Sequence, residues 1–188
     1  VASKEGKILG IDPGSNIMGF GVIEVKGGKT YLIEMGVFKM KNTYSHFERL
    51  KMIFDKTNEI IQLYRPDEFA IEAPFYGNNI QSMLKLGRAQ GAAISAALYN
   101  NLVINEYSPR KVKQAITGNG NSSKEQIAGM LKSLLNFNRP DIEFDATDGL
   151  AVAYCHSLQY KTNIISDKYT GWDAFLKKNP SKVIGKPK

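Results

Sequence analysis

Three apolar runs fill the first forty residues with only turn-forming residues between them, and this commits the chain to open as an antiparallel meander. Lys7 to Ile11 is followed by Asp12-Pro13-Gly14-Ser15 and then by Met18 to Val25, which is richer in β-branched and aromatic residues. Gly27-Gly28 separates that run from Tyr31 to Met40, and a Gly-Gly pair accepts the positive φ angles that a tight hairpin demands. Ser45 and Glu48 read as a capping box, after which Phe47, Leu50, Phe54, Ile61 and Tyr64 share one helical face until Pro66 intervenes. Phe69 to Glu72 is a short apolar strand, and Ala73-Pro74 with Gly77-Asn78-Asn79 makes the next stretch a loop.

A long helix is predicted from about Gln81 to Asn100, a fifth strand from Leu102 to Tyr107, and a short helix from Pro109 through Ala115. Thr117 to Asn121 is a flexible Gly/Asn-rich break, and Ser122 with Glu125 starts another helix. A last helix runs from about Asp145 to Tyr160, with Leu150, Ala153, Tyr154 and Ser157 spaced for one buried side. The order βββαβαβαα then α predicts an α/β fold: a five-stranded mixed sheet, its first three strands antiparallel, flanked by helices.

A chain of 188 residues with 43% hydrophobic content supports one domain, placed at residues 4–160. Residues 161–188 are read as a basic, loosely docked or flexible tail, with Tyr169, Trp172, Phe175 and Leu176 as its only anchors. There is no secretory signal and no run near the ~18 to 20 apolar residues of a membrane span, so the expectation is a cytoplasmic protein with no membrane partner. The single cysteine, Cys155, fits a reducing compartment, and the glycosylation-like Asn121-Ser122-Ser123 is idle without a secretory route. Of the net charge of +7, the tail contributes seven lysines against Asp167 and Asp173, or +5, which leaves +2 for residues 1–160. If four acids of that core bind metal, what remains is +6, a basic surface around an acidic pocket.

Asp12 and Glu72 each close an apolar strand with a carboxylate, where a charge is costly unless solvated, paired or bound to a cation. A turn-forming Asp before Pro-Gly would account for Asp12 alone. The fourth strand, however, arrives through a helix and can lie parallel to the first on its free side, which makes Asp12 and Glu72 neighbours. Asp145 and Asp148 stand three apart at the start of the last helix and share a face. The helix dipole favours acids there by ~0.3 to 1 kcal/mol, which is the structural explanation for the pair. Together the four form a hard-oxygen cluster of the kind Mg²⁺ or Mn²⁺ accepts, suited to phosphodiester hydrolysis with two ions.

Ile8-Leu9-Gly10-Ile11-Asp12-Pro13-Gly14-Ser15 and Gly19-Phe20-Gly21-Val22-Ile23 resemble the opening of the RuvC family of Holliday-junction resolvases. Ala70-Ile71-Glu72 then Phe75, Leu84-Lys85-Leu86-Gly87, Val112-Lys113-Gln114 and Asp145-Ala146-Thr147-Asp148-Gly149-Leu150-Ala151 resemble its later motifs, in the same order, from about Gly6 to His156. The resemblance implies a ribonuclease H-like fold and a crossover junction endodeoxyribonuclease cutting four-way DNA junctions during recombination and repair. It implies that Asp12, Glu72, Asp145 and Asp148 are the catalytic metal ligands, Asp12 bridging two Mg²⁺ ions, with Mn²⁺ able to substitute. Relatives often carry alanine at the Gly149 position, which bears on helix propensity, while His156 is read as structural.

Phe75 and Tyr76 lie in the loop past Glu72, where aromatic rings can stack on unpaired bases, or pack in the core. Arg110, Lys111, Lys113 and Lys124 form a basic patch able to meet phosphates, the resemblance favouring Lys113 and Lys124. Gly87, Gly91 and Ser95 make a small-residue ridge on the long helix, explained by packing on its own sheet or, by resemblance, by a homodimer. The resemblance also implies association with the RuvA and RuvB branch-migration proteins.

Three other readings compete. Asp12-Pro13-Gly14 also suits sugar kinases and chaperone ATPases, but such proteins need a second domain, and Gly28-Lys29-Thr30 completes no Walker A motif. A ribonuclease H-like nuclease with another substrate keeps the same acids, and a non-catalytic junction-binding protein would not need all four.

Overall fold

A computed structural model describes residues 5–74, 79–138 and 143–166. Strands β1 (Gly6–Pro13), β2 (Ile17–Lys26) and β3 (Lys29–Lys39) form the expected meander. The β2–β3 turn is Gly27-Gly28, with φ of +57° and +74°, and Lys26 pairs with Lys29 across it. This is the two-residue hairpin in which both central residues need positive φ.

Helix α1 (His46–Tyr64) has the capping box of Ser45 and Glu48, but its buried face differs from the apolar pattern. Ile53, Thr57, Ile60 and Ile61 face the sheet, and Phe47 is 75% exposed. The stripe is centred on Thr57, a polar residue that apolar periodicity passes over; its hydroxyl lies 3.7 Å from the Met18 sulfur. Strand β4 (Glu68–Glu72) then pairs parallel with β1, and after α2 (Ile80–Tyr99) strand β5 (Val103–Tyr107) pairs parallel with β4. The sheet order is β3-β2-β1-β4-β5.

Helices α3 (Pro109–Thr117), α4 (Lys124–Leu135) and α5 (Phe144–Ser166) complete the chain. The cap of α4 is Ser123 with Gln126, one residue beyond the predicted Ser122 and Glu125. Ser122 is buried instead, with its hydroxyl 2.7 Å from Thr117 Oγ1 and 2.9 Å from the Asn119 carbonyl. Helix α5 runs past the expected domain boundary at residue 160, and the rest of the proposed tail lies outside the described residues.

The sheet is covered on both faces. Leu9, Ile11, Phe69 and Ile71 pack beneath α1 and α2, while Ile8 and Ala70 pack with α3, α4 and α5. Alternation along a strand therefore turns Gly10 and Asp12, with Ile8, toward α5, and Glu72 follows Ala70 to the same side.

Backbone contact seats α5. A Cβ at Gly19 would lie 1.8 Å from the Asp145 carbonyl oxygen, one at Gly21 would lie 2.4 Å from Leu150 Cα, and one at Gly149 would lie 2.5 Å from the Phe20 nitrogen. Close approach to β2, more than helix propensity, thus sets the requirement at Gly149. Gly19→Ala is expected to cost about 3 kcal/mol or more, since overpacking against backbone has no flexible side chain to yield; urea unfolding measures it. The small-residue ridge of α2 does not pack on its own sheet: a Cβ at Gly87 or Gly91 would meet nothing within 4 Å.

Candidate active site

Strand register brings the first two acids together. Ile11 pairs with Ile71, so the next residues, Asp12 and Glu72, end adjacent parallel strands on the face that α5 covers. Asp145 and Asp148 occupy the first turns of α5 above them. The Lys124 ammonium at the start of α4 lies 2.5 Å from Asp148 Oδ2 and 3.6 Å from Asp145 Oδ1. Asp12, Glu72, Asp148, Arg110, Lys113 and Lys124 line one cavity of about 630 Å³.

The electrostatics are those of acids that are buried first and crowded second. Burial, then the charges of Asp12 and Asp148, push Glu72 up to about 8, against the opposing pull of Lys124 and Lys113. Burial, then Asp148, push Asp12 up to about 6; Lys124 relieves it and Asp145 adds to it. Two carboxylates that resist ionising under such repulsion favour a bound cation.

Among the described residues no three His, Cys, Asp or Glu side chains converge closely enough to hold an ion in this arrangement. Asp145 and Asp148 instead face the Lys124 ammonium. The donor set is nevertheless all carboxylate oxygen, which fits a hard divalent cation rather than a soft one.

His156 is not part of the site. It is buried between the Tyr107 hydroxyl, 2.6 Å from Nδ1, and Glu68 Oε2, 2.5 Å from Nε2. Arg110 and Lys113 line the cavity, whereas Lys111 does not: its ammonium sits 5.0 Å from the centroid of the Tyr107 ring. Phe75 and Tyr76 lie outside the described residues.

Sequence reasoning missed Gly120 and Asn121, which also line the cavity. Their segment reads as a flexible break but is a hydrogen-bonded turn. The Asn119 N–H donates to Thr117 Oγ1 at 3.2 Å, and the Asn121 N–H donates to Asn119 Oδ1 at 3.0 Å. An Asn bonding backbone two residues on is an Asx turn, the available signal. The turn delivers Lys124 to the acids, and a Cβ at Gly120 would lie 2.6 Å from Arg110 Cγ.

A five-stranded sheet in this order, with acids at the ends of β1 and β4 and at the start of a helix crossing them, defines a ribonuclease H-like domain. Residues 8–156 match the profile of the family "Crossover junction endodeoxyribonuclease RuvC". The crossover junction endodeoxyribonuclease RuvC of Christiangramia forsetii is 54% identical, covering 97% of this chain and 95% of its own. That of Bacteroides fragilis is 52% identical over 96% of this chain and 97% of its own. The structure of T. thermophilus RuvC in complex with a Holliday junction substrate superposes with a TM-score of 0.78 at 31% identity, covering 84% of this chain and 96% of that one. The chain belongs to the RuvC family of crossover junction endodeoxyribonucleases.

Proposed function

We propose that this chain resolves four-way DNA junctions by divalent-metal-dependent hydrolysis of paired phosphodiester bonds, in recombination and repair. The observation that carries the reading is the meeting of Asp12, Glu72 and Asp148 with Lys113 and Lys124 in one cavity. Carboxylates to hold cations and ammoniums to meet phosphate are what this hydrolysis requires.

Asp12, Glu72, Asp145 and Asp148 would hold the metal, read as two Mg²⁺ ions with Mn²⁺ able to substitute. When bound, the cations supply an activated water and neutralise charge building on the phosphate. The remaining work falls to the protein. Lys113 and Arg110 draw the DNA backbone into the cavity, and Lys124, released from Asp148, adds a third phosphate contact. Lys111 is left to the flank, and Phe75 and Tyr76 probe the junction centre by stacking.

Symmetric cutting of two strands needs two sites related by a two-fold axis. The open positions at Gly87 and Gly91, beside Ile80 at 69% and Leu84 at 51% exposure, support a homodimer built through α2. Association with RuvA and RuvB and a cytoplasmic location complete the reading. Among the described residues no helix is long and apolar enough to cross a membrane.

The test is cleavage of a synthetic four-way junction with Mg²⁺, beside linear duplex and RNA–DNA hybrid. Paired, symmetric nicks on the junction alone are expected. Preferential cutting of the hybrid would keep the acids and overturn the substrate.

A further inference from the structure

We propose that a second cavity, on the α1 and α2 side of the end of β1, is a phosphate subsite that holds the nucleic-acid backbone beside the reaction centre. The proposal deepens the functional reading above and rests on it. The cavity has a volume of about 460 Å³ and is lined by Ser15 and Asn16 of the β1–β2 turn, His46 and Arg49 of α1, and Ser82 and Lys85 of α2. Every one of these side chains offers a hydrogen-bond donor, and none is acidic.

The polar groups around this cavity point to an anion. The His46 Nε2 atom is buried and has no hydrogen-bond partner among the described residues. Arg49, Lys85 and Arg88 form no ion pair among those residues, although all three bear on His46. Burial, then the charges of Arg88, Arg49 and Lys85, hold its imidazole below the ordinary range. The guanidinium of Arg49 is fixed in place, since Nε donates to the Tyr44 carbonyl at 3.1 Å and Nη1 donates to Asn16 Oδ1. Glu48, the acid in the first turn of α1, is held by the Ser45 N–H at 2.7 Å.

Two long helices also begin here. His46 is the first residue of α1, and Ser82 is in the first turn of α2, so both positive helix ends add to the field. Unneutralised cations, an orphaned imidazole nitrogen and a lining of hydrogen-bond donors together suit a tetrahedral oxyanion.

Placement identifies the anion as backbone phosphate. Ser15 is three residues beyond Asp12, which the chain can separate by at most ~11 Å. At ~3.4 Å of axial rise per nucleotide, this subsite lies within about three nucleotides of the phosphate at the carboxylates. The DNA strand would cross the ends of β1 and β4 between the carboxylate-containing cavity on one face of the sheet and the basic cavity on the other.

The test uses the full chain with EDTA, so that binding is read without cutting. The double variant Lys85→Gln/Arg88→Gln, both exposed side chains, is expected to weaken junction binding roughly tenfold at low salt. It should also reduce the slope of log Kd against log salt by about one to two. Single methylphosphonates placed within three nucleotides of the cut should weaken wild-type binding at one position and be silent there in the variant. An unchanged slope with the same methylphosphonate-sensitive position overturns the subsite, while the wild type goes on cutting junctions and the functional reading stands. A wild-type chain that does not bind the junction overturns that reading and the subsite with it.

A second measurement needs no variant. The chain has two histidines, so the His46 ring signal is readily followed by NMR. It should shift with a short single-stranded oligonucleotide and not with equimolar inorganic phosphate. An equal response to both would make this a free-anion site, and no response to either would leave no site; each overturns the backbone assignment.

Discussion

Asp12→Asn is expected to reduce junction cleavage by ~10³-fold or more, while junction affinity without metal stays within a few-fold of wild type. The substitution keeps the shape of the side chain and one carbonyl oxygen, so the end of β1 and its packing against α5 are preserved. What disappears is the negative charge that lies among Glu72, Asp148 and Asp145. A loss of 10³ corresponds to about 4 kcal/mol of transition-state stabilisation. Losing a charge that, in the proposed reading, would hold the cations is expected to cost that much. Two companion effects distinguish this from misfolding. Asp12 is the foremost charge raising Glu72 after burial itself, so Glu72 should titrate lower in the variant. The metal-free variant should also unfold at a higher temperature than wild type, as expected when a functional repulsion is removed. Single-turnover cleavage with saturating enzyme measures the first effect, and residual activity within tenfold of wild type would remove Asp12 from the centre of the mechanism.

The parts of this site legible in the sequence are those set by strand periodicity and chain connectivity. Asp12 and Glu72 can be paired from sequence because each closes an apolar strand and the intervening helix makes those strands parallel. Asp145 and Asp148 can be paired because three residues of a helix bring side chains onto one face. The role of Lys124 is different. Its sequence neighbourhood shows a cation near a turn, but its place between Asp145 and Asp148 depends on how α4 docks beside α5, which no local pattern encodes.

The same distinction explains the misplacements in the fold. The centre of the α1 stripe is Thr57, buried because its hydroxyl finds a sulfur, and no apolar count selects it. The α4 cap moved from Ser122 to Ser123 because both serines precede suitable acceptors and donors, and the tertiary bond to Thr117 takes the first one. Gly149 reads as a weak helix residue only until β2 is seen lying against it.

Without divalent cation, the thermal stability of the protein should fall as pH rises from about 5 to about 8, contrary to the usual behaviour of native carboxylates. The sign follows from linkage. Asp12 moves from an ordinary value of 3.8 to about 6 on folding, and Glu72 from 4.5 to about 8. The folded state therefore binds these protons more tightly than the unfolded chain. The associated stability is fully present below about pH 4 and is lost as pH climbs through about 6 and then about 8. At about 1.4 kcal/mol per pKa unit the two shifts are worth roughly 8 kcal/mol in full, of which on the order of 5 kcal/mol is lost between pH 5 and 8. For a chain of this size that corresponds to roughly 10 °C in Tm. Divalent cation should reverse it, because an ion that binds the native acids at a hundred times its Kd contributes about 2.7 kcal/mol. The reversal should be larger at pH 8 than at pH 5, since a cation competes with protons for the same oxygens. Glu72→Gln should flatten the upper part of the profile, leaving only the Asp12 step near pH 6. Calorimetric scans in EDTA and in Mg²⁺ across this range measure both effects. A metal-free Tm that holds level or rises between pH 5 and 8 would mean that Lys124 neutralises the acids on its own, and the case for a cation-requiring cluster would lose its electrostatic basis.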